Sequence, residues 1–389
     1  MKSFLVLVGL SVVFAHPLDY RFVLNNTKFA ASVYKEAALQ NEDNFLVSPL
    51  SAQLVLALSQ SGAKDQTAQE IQDVLKLSHS KVVIDCTMGG LLQNLNRQHD
   101  YDLRTVNKIY IKENCPINTD FIDSAKLIYQ SETENIDFGR NKEAAAAINQ
   151  WVEQATDDKI HNLIDPESLT NDTRVVLLNA LRFKANWTTP FQMFSTMKQD
   201  FHSADSTIQV DTMHLFEEYF DWYDKPELNA TFLELPFVGD NVSMTIVLPE
   251  VSDGLSLLEQ NIDLVLEPPH SKSREMFNVA LPKFKMESKI DFKRVLQNLG
   301  VKKAFEEGAA DFSGMAGDKG ELFIDEVAQK TFVDVNEDGM EAAAATFVVK
   351  IVNRNVEASR DFIVNRPFLF FVKVEDLVVF MGRVVVPYY

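Results

Sequence analysis

The residue types that usually carry chemistry are not arranged for catalysis in this chain. Its seven histidines are scattered without the spacing of metal ligands, and no G-x-S-x-G, H-E-x-x-H, Walker or G-x-G-x-x-G motif is present. We therefore expect no enzyme activity, no metal and no cofactor. The residues that could do chemistry lie instead in one long connection, residues 337–366, where a run of alanines precedes β-branched and basic side chains.

This connection is longer than two neighbouring strands need. Residues 322–335 before it and residues 362–374 after it are rich in β-branched and aromatic side chains, which is typical of buried strands. Connections longer than about 15 residues inside a compact domain are usually functional or disordered. This one has no proline and only one glycine, Gly339, and it becomes β-branched from Thr346 onward. We interpret it as a loop that is able to become a strand.

Five motifs along the chain resemble those of a known family. They are NFLVSPLS (44–51), LNALRFKANW (178–187), GMEAAAAT (339–346), FIVNRPFLF (362–370) and FMGRVVVP (380–387). On these motifs the chain resembles the serpins, and among them the secreted, inhibitory serpins of insect and other arthropod haemolymph. The resemblance covers essentially all of the mature protein. It implies an α+β fold with three β-sheets, about nine helices and an exposed reactive-centre loop.

The resemblance also implies that the protein is a suicide-substrate inhibitor of a serine protease. In serpins a protease attacks the exposed loop, and the cleaved loop then inserts into the main β-sheet as an added strand. The protease is still attached as an acyl-enzyme and is displaced with the loop, and the loss of its oxyanion hole stalls deacylation. Residues 337–361 would form the hinge and the loop.

The composition of the hinge suits insertion into a packed sheet. Gly339 accommodates unusual dihedral angles, the alanines are small, and by strand alternation every second residue from Met340 to Thr346 should face the core after insertion. Met340 departs from the family, which usually has Thr or Ser there. Because methionine is apolar and adaptable, we expect insertion to survive. The predicted hinge residues are Glu337, Gly339, Met340, Ala342, Ala343, Ala344, Ala345 and Thr346.

The bond offered to the protease follows from loop length and from the side chain that a protease requires. Counting from the hinge at the usual family length places the attacked carbonyl at Asn353, and a loop longer by one residue places it at Arg354. Counting back from Pro367 places it nearer Val356, so the loop is a few residues longer than is commonest in the family. Trypsin-like proteases need a basic side chain before the cleaved bond. We predict attack at Arg354–Asn355 by a trypsin-like serine protease, with Asn353–Arg354 as the alternative.

The resemblance assigns further residues to the region where the sheet opens. Glu337 matches an acidic residue that pairs with a basic one at the position of Lys283, and Trp187 matches the bulky residue where insertion begins. Gln329 stands where the family has a histidine, so the pH sensitivity of that imidazole should be absent. The whole set is Ser48, Ser51, Asn179, Trp187, Lys283 and Gln329, of which the first three match a hydrogen-bonding cluster.

The elements that must position these residues divide the chain into a helix-rich first half and a strand-rich second half, which favours an α+β fold. Helices are predicted at residues 27–40, 49–62, 67–75, 141–156 and 290–299, and a buried strand at 174–183. Thr27 and Pro49 mark helix starts, and Gly300 ends the last helix. Because no linker composition divides the chain, residues 16–389 are predicted to form a single domain.

The net charge and the N-terminal residues limit where the protein can be located and which partners it can have. Residues 1–15 have one lysine followed by a short apolar run and are predicted to be a signal peptide, so we expect a secreted, extracellular protein. The formal charge of −19 argues against nucleic acid as a partner. No later apolar run is long enough to span a membrane. We expect a monomer.

Secretion would make the sequons and cysteines relevant. Four asparagines are candidate glycosylation sites: Asn25, Asn171, Asn229 and Asn241. A fifth, Asn186, precedes a tryptophan that we expect to be buried, and we do not expect it to be glycosylated. Cys86 and Cys115 are the only cysteines, and they form either a disulfide or two free thiols.

Two other functions remain open. Non-inhibitory serpins, such as carriers or storage proteins, tend to have bulky, charged or proline residues in the hinge, and the alanine run argues against that alternative. A protein that binds a sulfated glycan such as heparin would need a basic surface. Basic residues recur between His270 and Lys303, but proximity in sequence does not establish one surface, and the region 81–99 that some relatives use for heparin is sparsely basic.

Overall fold

The computed structural model of the protein describes residues 20–78, 80–97, 100–204, 206–239, 241–341 and 358–389. These residues form nine α-helices and fifteen β-strands. The helices are α1 (Tyr20–Ala38), α2 (Pro49–Gly62), α3 (Asp65–Leu75), α4 (Lys81–Arg97), α5 (Thr119–Leu127), α6 (Asn141–Ala155), α7 (Leu255–Gln260), α8 (Ile262–Leu266) and α9 (Phe292–Leu299). The strands are β1 (Phe45–Val47), β2 (Tyr101–Lys112), β3 (Glu132–Ile136), β4 (Val175–Asn186), β5 (Met197–His202), β6 (Thr207–Lys225), β7 (Ala230–Pro236), β8 (Val242–Pro249), β9 (Ser273–Pro282), β10 (Phe284–Asp291), β11 (Ile324–Val335), β12 (Gly339–Met340), β13 (Arg360–Ile363), β14 (Phe368–Val374) and β15 (Leu377–Val384).

Local capping chemistry sets several helix boundaries. α2 begins at Pro49, whose missing N–H is not needed in the first turn, and the hydroxyl of Ser48 accepts a hydrogen bond from the amide of Ser51 at 3.4 Å. α9 ends where Gly300 adopts a φ of 115°. The predicted helices at residues 49–62 and 141–156 are confirmed to within one residue.

Three predicted helix starts are wrong. α3 begins at Asp65, two residues before the predicted start at residue 67. α1 begins at Tyr20, well before the predicted cap Thr27, whose hydroxyl instead donates to the carbonyl of Val23 inside the helix at 3.0 Å. α9 begins two residues later than predicted because Ile290 and Asp291 complete β10, whose side chains alternate between buried and exposed. None of these differences moves a residue of the predicted site.

The six-stranded sheet carries the predicted hinge, in the order β10–β11–β12–β4–β2–β3. At its centre β4 and β11 run parallel and pair directly, from Ile324 with Val175 to Thr331 with Leu181. One face of the sheet contributes to the hydrophobic cluster that contains Ile148 of α6, and the other face contributes to the main core. Two strands buried on both faces explain the near-continuous apolar runs in their sequences.

The remaining strands form a nine-stranded network in the order β1–β15–β14–β8–β7–β6–β9–β13, with β5 added to β6. The 19-residue β6 joins two strand sets, because its first part pairs with β5, its middle with β9 and its last part with β7. With the six-stranded sheet these sets make the three expected sheets, and the α+β class is confirmed. None of the helices in the described ranges combines the length and the apolar composition that crossing a bilayer requires.

Candidate functional site

The start of the predicted hinge lies at one end of the six-stranded sheet, where β12 enters between β11 and β4. Met340 pairs with Val335 of β11 and with Ala185 of β4, and Gly339 pairs with Asn186. Further along the sheet β4 and β11 pair directly with each other. The sheet is therefore open at this end, and the first hinge residues already occupy the opening.

The chain reaches this opening through a tight turn at residues 336–338. The amide of Gly339 donates to the carbonyl of Asn336 at 3.3 Å, and the amide of Asn336 donates to the carbonyl of Gly339 at 3.0 Å. Gly339 has a φ of 154°, and a Cβ at this position would lie 2.0 Å from the carbonyl oxygen of Ala185. A residue without a side chain is therefore required at this point of the hinge.

The side chain of Met340 is fully buried in the main core. It lies on the side of the sheet that strand alternation assigns to it. The departure from the usual Thr or Ser therefore fills the opening with an adaptable apolar side chain. The remaining hinge residues Ala342, Ala343, Ala344, Ala345 and Thr346, and the predicted cleavage residues Asn353, Arg354 and Asn355, lie outside the described residues.

Lys283 and Glu337 form an ion pair beside the turn, with 2.9 Å between Nζ and Oε2 and with both side chains largely buried. The hydroxyl of Thr196 donates to the other carboxylate oxygen of Glu337 at 2.7 Å. Although burial opposes it, the hydrogen bonds from Thr196 and Lys283 hold the pKa of Glu337 below its usual value. The ring centroid of Tyr389, at the C-terminus, lies 4.1 Å from Nζ of Lys283. The ion pair therefore ties Glu337, in the turn, to Lys283, which lies between β9 and β10.

Trp187 connects the end of β4 to the same turn. Its indole Nε1 donates to the carbonyl of Asn336 at 2.9 Å, and its amide donates to the carbonyl of Asp338 at 2.9 Å. The ring is buried and stacks on Phe237 at 4.4 Å between centroids. The residue at which insertion was expected to begin therefore contacts the hinge turn directly.

A buried hydrogen-bonding cluster links α2 to β4 and β11. Gln329 donates from Nε2 to the carbonyl of Ser48 at 3.0 Å and to Oδ1 of Asn179 at 2.6 Å, and its Oε1 accepts from the amide of Ser48. Ser51 donates its hydroxyl to Asn179. The amide group of Asn179 donates to Oδ1 of Asn107 on β2 at 2.6 Å. The glutamine thus bridges two strands and the helix, and the cluster includes Asn107, which the sequence analysis missed.

Sequence reasoning also missed an ion pair at the end of the described hinge. Glu341 follows β12, and its Oε2 lies 3.3 Å from Nε of Arg182 on β4, with only 2% of the Glu341 side chain exposed. Arg182 also pairs with Asp102 and Asp157. The two partners are 159 residues apart in sequence, so no local pattern could have predicted the contact.

The candidate glycosylation sites differ in their surroundings. Three of the four predicted asparagines are exposed, namely Asn171, Asn229 and Asn241. Asn25 is half-buried, and its side-chain amide donates to the carbonyl of Lys76 at 3.0 Å. Asn186 is itself exposed although Trp187 is buried, so burial of the neighbour does not remove this side chain from solvent.

The two cysteines do not form a disulfide. Both are free thiols, with Cys86 exposed and Cys115 buried. Burial and the nearby carboxylate of Glu321 raise the pKa of the Cys115 thiol, so this cysteine is a packing residue rather than a reactive one. The described residues contain no group of three or more His, Cys, Asp or Glu side chains placed to hold a metal ion.

The basic residues considered for glycan binding are partly neutralised. Four of those between His270 and Lys303 pair with carboxylates: Lys272 with Glu234, Arg274 with Asp221, Lys283 with Glu337 and Lys303 with Glu306. Each pair removes a cation that a sulfate group would otherwise bind. The geometry therefore gives no particular support to a glycan surface in this part of the chain.

Comparison with known proteins places this geometry in a family. Residues 24–387 match the family model described as Serpin (serine protease inhibitor). The chain is 35% identical over 404 residues to Alaserpin of Manduca sexta, with both chains fully covered. It is 35% identical over 347 residues to Serine protease inhibitor 42Dd of Drosophila melanogaster, covering 88% of this chain and 91% of that one. The crystal structure of Serpin48 from Tenebrio molitor, described as a highly specific serpin, superposes with a TM-score of 0.90 at 46% identity, covering 96% of this chain and all of that chain.

Proposed function

This chain belongs to the serpin family, and from that membership we propose that it inhibits a trypsin-like serine protease by trapping it as a covalent acyl-enzyme. Its similarity to insect serine protease inhibitors supports protease inhibition in general. The observation that carries the proposal is the position of β12, because a strand that begins between β4 and β11 can be extended along the same opening. The protease supplies the catalytic groups. The inhibitor supplies the loop that is cleaved and the loop insertion that displaces the protease.

The proposed reaction uses the protease nucleophile. The serine hydroxyl attacks the carbonyl of Arg354, the peptide bond to Asn355 breaks, and the new amine leaves as the N-terminus of residues 355–389. The ester to Arg354 remains. Residues after Met340 then continue β12 between β4 and β11, where each added ladder hydrogen bond contributes about 0.5–1.5 kcal/mol. A dozen such bonds supply on the order of 10 kcal/mol to displace the protease.

The hinge favours inhibition over a carrier or storage role. The alanines of the hinge carry no side chain beyond Cβ that would have to displace neighbours in the sheet, and Met340 is already accommodated without exposure. A bulky or charged hinge would oppose burial between the two strands. We therefore place trapping ahead of a non-inhibitory role.

The proposal is tested by incubating the protein with a panel of trypsin-like proteases and separating the products by denaturing electrophoresis. We expect a covalent band of summed mass, and a C-terminal fragment that begins at Asn355 by mass spectrometry. Arg354→Ala should abolish the band with these proteases because their specificity pocket requires a basic side chain. The matched variant Asn353→Ala should retain it. A nicked protein without any covalent band would contradict the proposal.

We further propose that residues 1–15 are removed and that residues 16–389 are secreted as one domain. The expected short apolar segment after Lys2 and the exposed sequons Asn171, Asn229 and Asn241 support this. Expression in insect cells should give a secreted protein that begins at His16 and loses mass when N-glycans are removed enzymatically. Retention of residue 1 on the secreted chain would contradict it.

A further inference from the structure

Residues 339–341, at the start of the hinge, are held in the sheet by a side-chain contact in which only one of two carboxylate oxygens has a partner. Oε2 of Glu341 accepts from Nε of Arg182 at 3.3 Å, whereas Oε1 is buried and has no hydrogen-bond partner. The side chain of Glu341 is 2% exposed and that of Arg182 is 10% exposed. A buried carboxylate oxygen without a donor destabilises the state in which it occurs.

The backbone at Glu341 also opposes this position. Its φ is 54°, in the left-handed region that non-glycine residues avoid. Its amide nevertheless donates to the carbonyl of Asp334 at 2.9 Å, which ties it to β11. At Glu341, the residue after β12, a strained backbone conformation therefore opposes the hydrogen bond that ties the amide to β11.

The charges around Glu341 do not balance. Arg182 of β4 faces it directly and Lys159, which follows α6, lies near enough to interact, while Asp334 of β11 repels it. Arg182 is shared with Asp102 of β2 and with Asp157. Arg104 also pairs with these two aspartates. Three cations thus serve four carboxylates, and the negative charge of Glu341 is the one buried deepest in the opening.

We propose that Glu341 and Arg182 form a charge-controlled latch that sets how firmly the native hinge is inserted between β4 and β11. Arg182 holds residues 339–341 in the sheet, and the charge of Glu341 works to expel them. Expulsion frees three more residues for the segment that contains the predicted cleavage site, so the loop is attacked faster. This consequence regulates the inhibitory loop and rests on the proposed function.

Protonation of Glu341 should tighten the latch. Burial raises the pKa of Glu341, against the opposing effect of Arg182. A group whose pKa is raised in the inserted state stabilises that state at low pH, and the stabilisation is lost as pH rises through the raised value. Mild acidification should therefore slow attack on the loop, and a return to neutral pH should restore it.

The test compares two variants for which the latch predicts opposite effects. In Arg182→Met the carboxylate loses its counter-charge, and exchange of the amide hydrogens of Met340 and Glu341 should become about tenfold faster or more, the effect of losing a charge-assisted hydrogen bond to a buried group. In Glu341→Gln the charge is removed while the shape is kept, and exchange should become slower than in wild type. Arg104→Met is the matched control, because Arg104 pairs with Asp102 and Asp157 but not with Glu341.

Attack on the loop is measured independently of inhibition, as the rate of nicking by a catalytic amount of a broad-specificity bacterial protease. Nicking should be faster in Arg182→Met, slower in Glu341→Gln and unchanged in Arg104→Met, and only Glu341→Gln should lose the slowing at mildly acidic pH. The latch proposal would be contradicted if the nicking rates of Arg182→Met and Glu341→Gln changed in the same direction, or if neither rate changed. Failure to form a covalent protease complex in any variant would instead overturn the proposed function, because amide exchange and nicking do not depend on trapping.

Discussion

At the scale of single residues, the ion pair of Lys283 and Glu337 is the contact of the site that is most open to measurement. Both side chains are largely buried, so removing one leaves the other unpaired in a poorly solvated place. Lys283→Met should therefore lower the stability of the native protein by about 1–3 kcal/mol. The matched control is Lys272→Met, because Lys272 pairs with Glu234 but is 44% exposed and such pairs contribute about 0–1 kcal/mol.

The same pair has a pH signature. Hydrogen bonds from Thr196 and Lys283 overcome burial and hold the pKa of Glu337 below its usual value. A group with a lowered pKa in the folded state stabilises that state above its unfolded pKa, and the contribution is lost as pH falls through the folded value. The difference in denaturant midpoint between wild type and Lys283→Met should persist from neutral pH to about pH 5 and disappear only below about pH 4. A difference that vanished between pH 7 and pH 6 would contradict this assignment.

Residue types and motif positions revealed part of the site. The polar cluster of Ser48, Ser51, Asn179 and Gln329, and the neighbourhood of Trp187, could be assigned by position in motifs because each belongs to a short, ordered segment. The roles of Asn107 and Arg182 could not be assigned, because each joins the site through contacts between separate strands, although Arg182 lies in the same motif as Asn179. Contacts of that kind depend on register, which local sequence does not specify.

At the scale of elements, the insertion of β12 decides what the hinge tolerates. Met340 is completely buried between strands, so a charge at this position would have to be desolvated without a partner. Met340→Glu should fold but fail to insert, and the protein should be cleaved by its target protease without forming the covalent band. Met340→Thr, the residue type usual in the family, should keep the band. Equal complex formation by the two variants, measured as the ratio of covalent complex to nicked protein, would contradict a role for insertion.

Helix and strand boundaries were predictable where local chemistry sets them. α2 follows the prediction because Ser48 caps it and Pro49 starts it. The predicted start of α1 does not hold, because Thr27 lies inside the helix and its hydroxyl donates to the carbonyl of Val23 instead of capping an end. β12 has only two residues, and its place between β11 and β4 follows from pairing with both strands rather than from its own composition. By propensity alone its alanine-rich continuation would favour a helix.

At the scale of the whole molecule, the fold combines a well-packed core with one sheet that is incompletely filled. β4 and β11 pair directly over most of their length and admit β12 only at one end. When β4 and β11 separate further, their direct pairing is lost, and each of them pairs with the inserted strand instead. The inserted form therefore gains backbone hydrogen bonds and buried area. In the proposed function, this whole-molecule property would convert cleavage of one bond into displacement of a protease.

The central claim, that the intact sheet lacks a strand which the cleaved loop supplies, is tested most directly by comparing the thermal unfolding of intact protein with that of protein nicked once in the loop. About a dozen new ladder hydrogen bonds should raise the melting temperature of the nicked protein by roughly 10 °C or more. Met340→Glu should lose most of this increase. Equal melting temperatures for intact and nicked wild-type protein would contradict the claim.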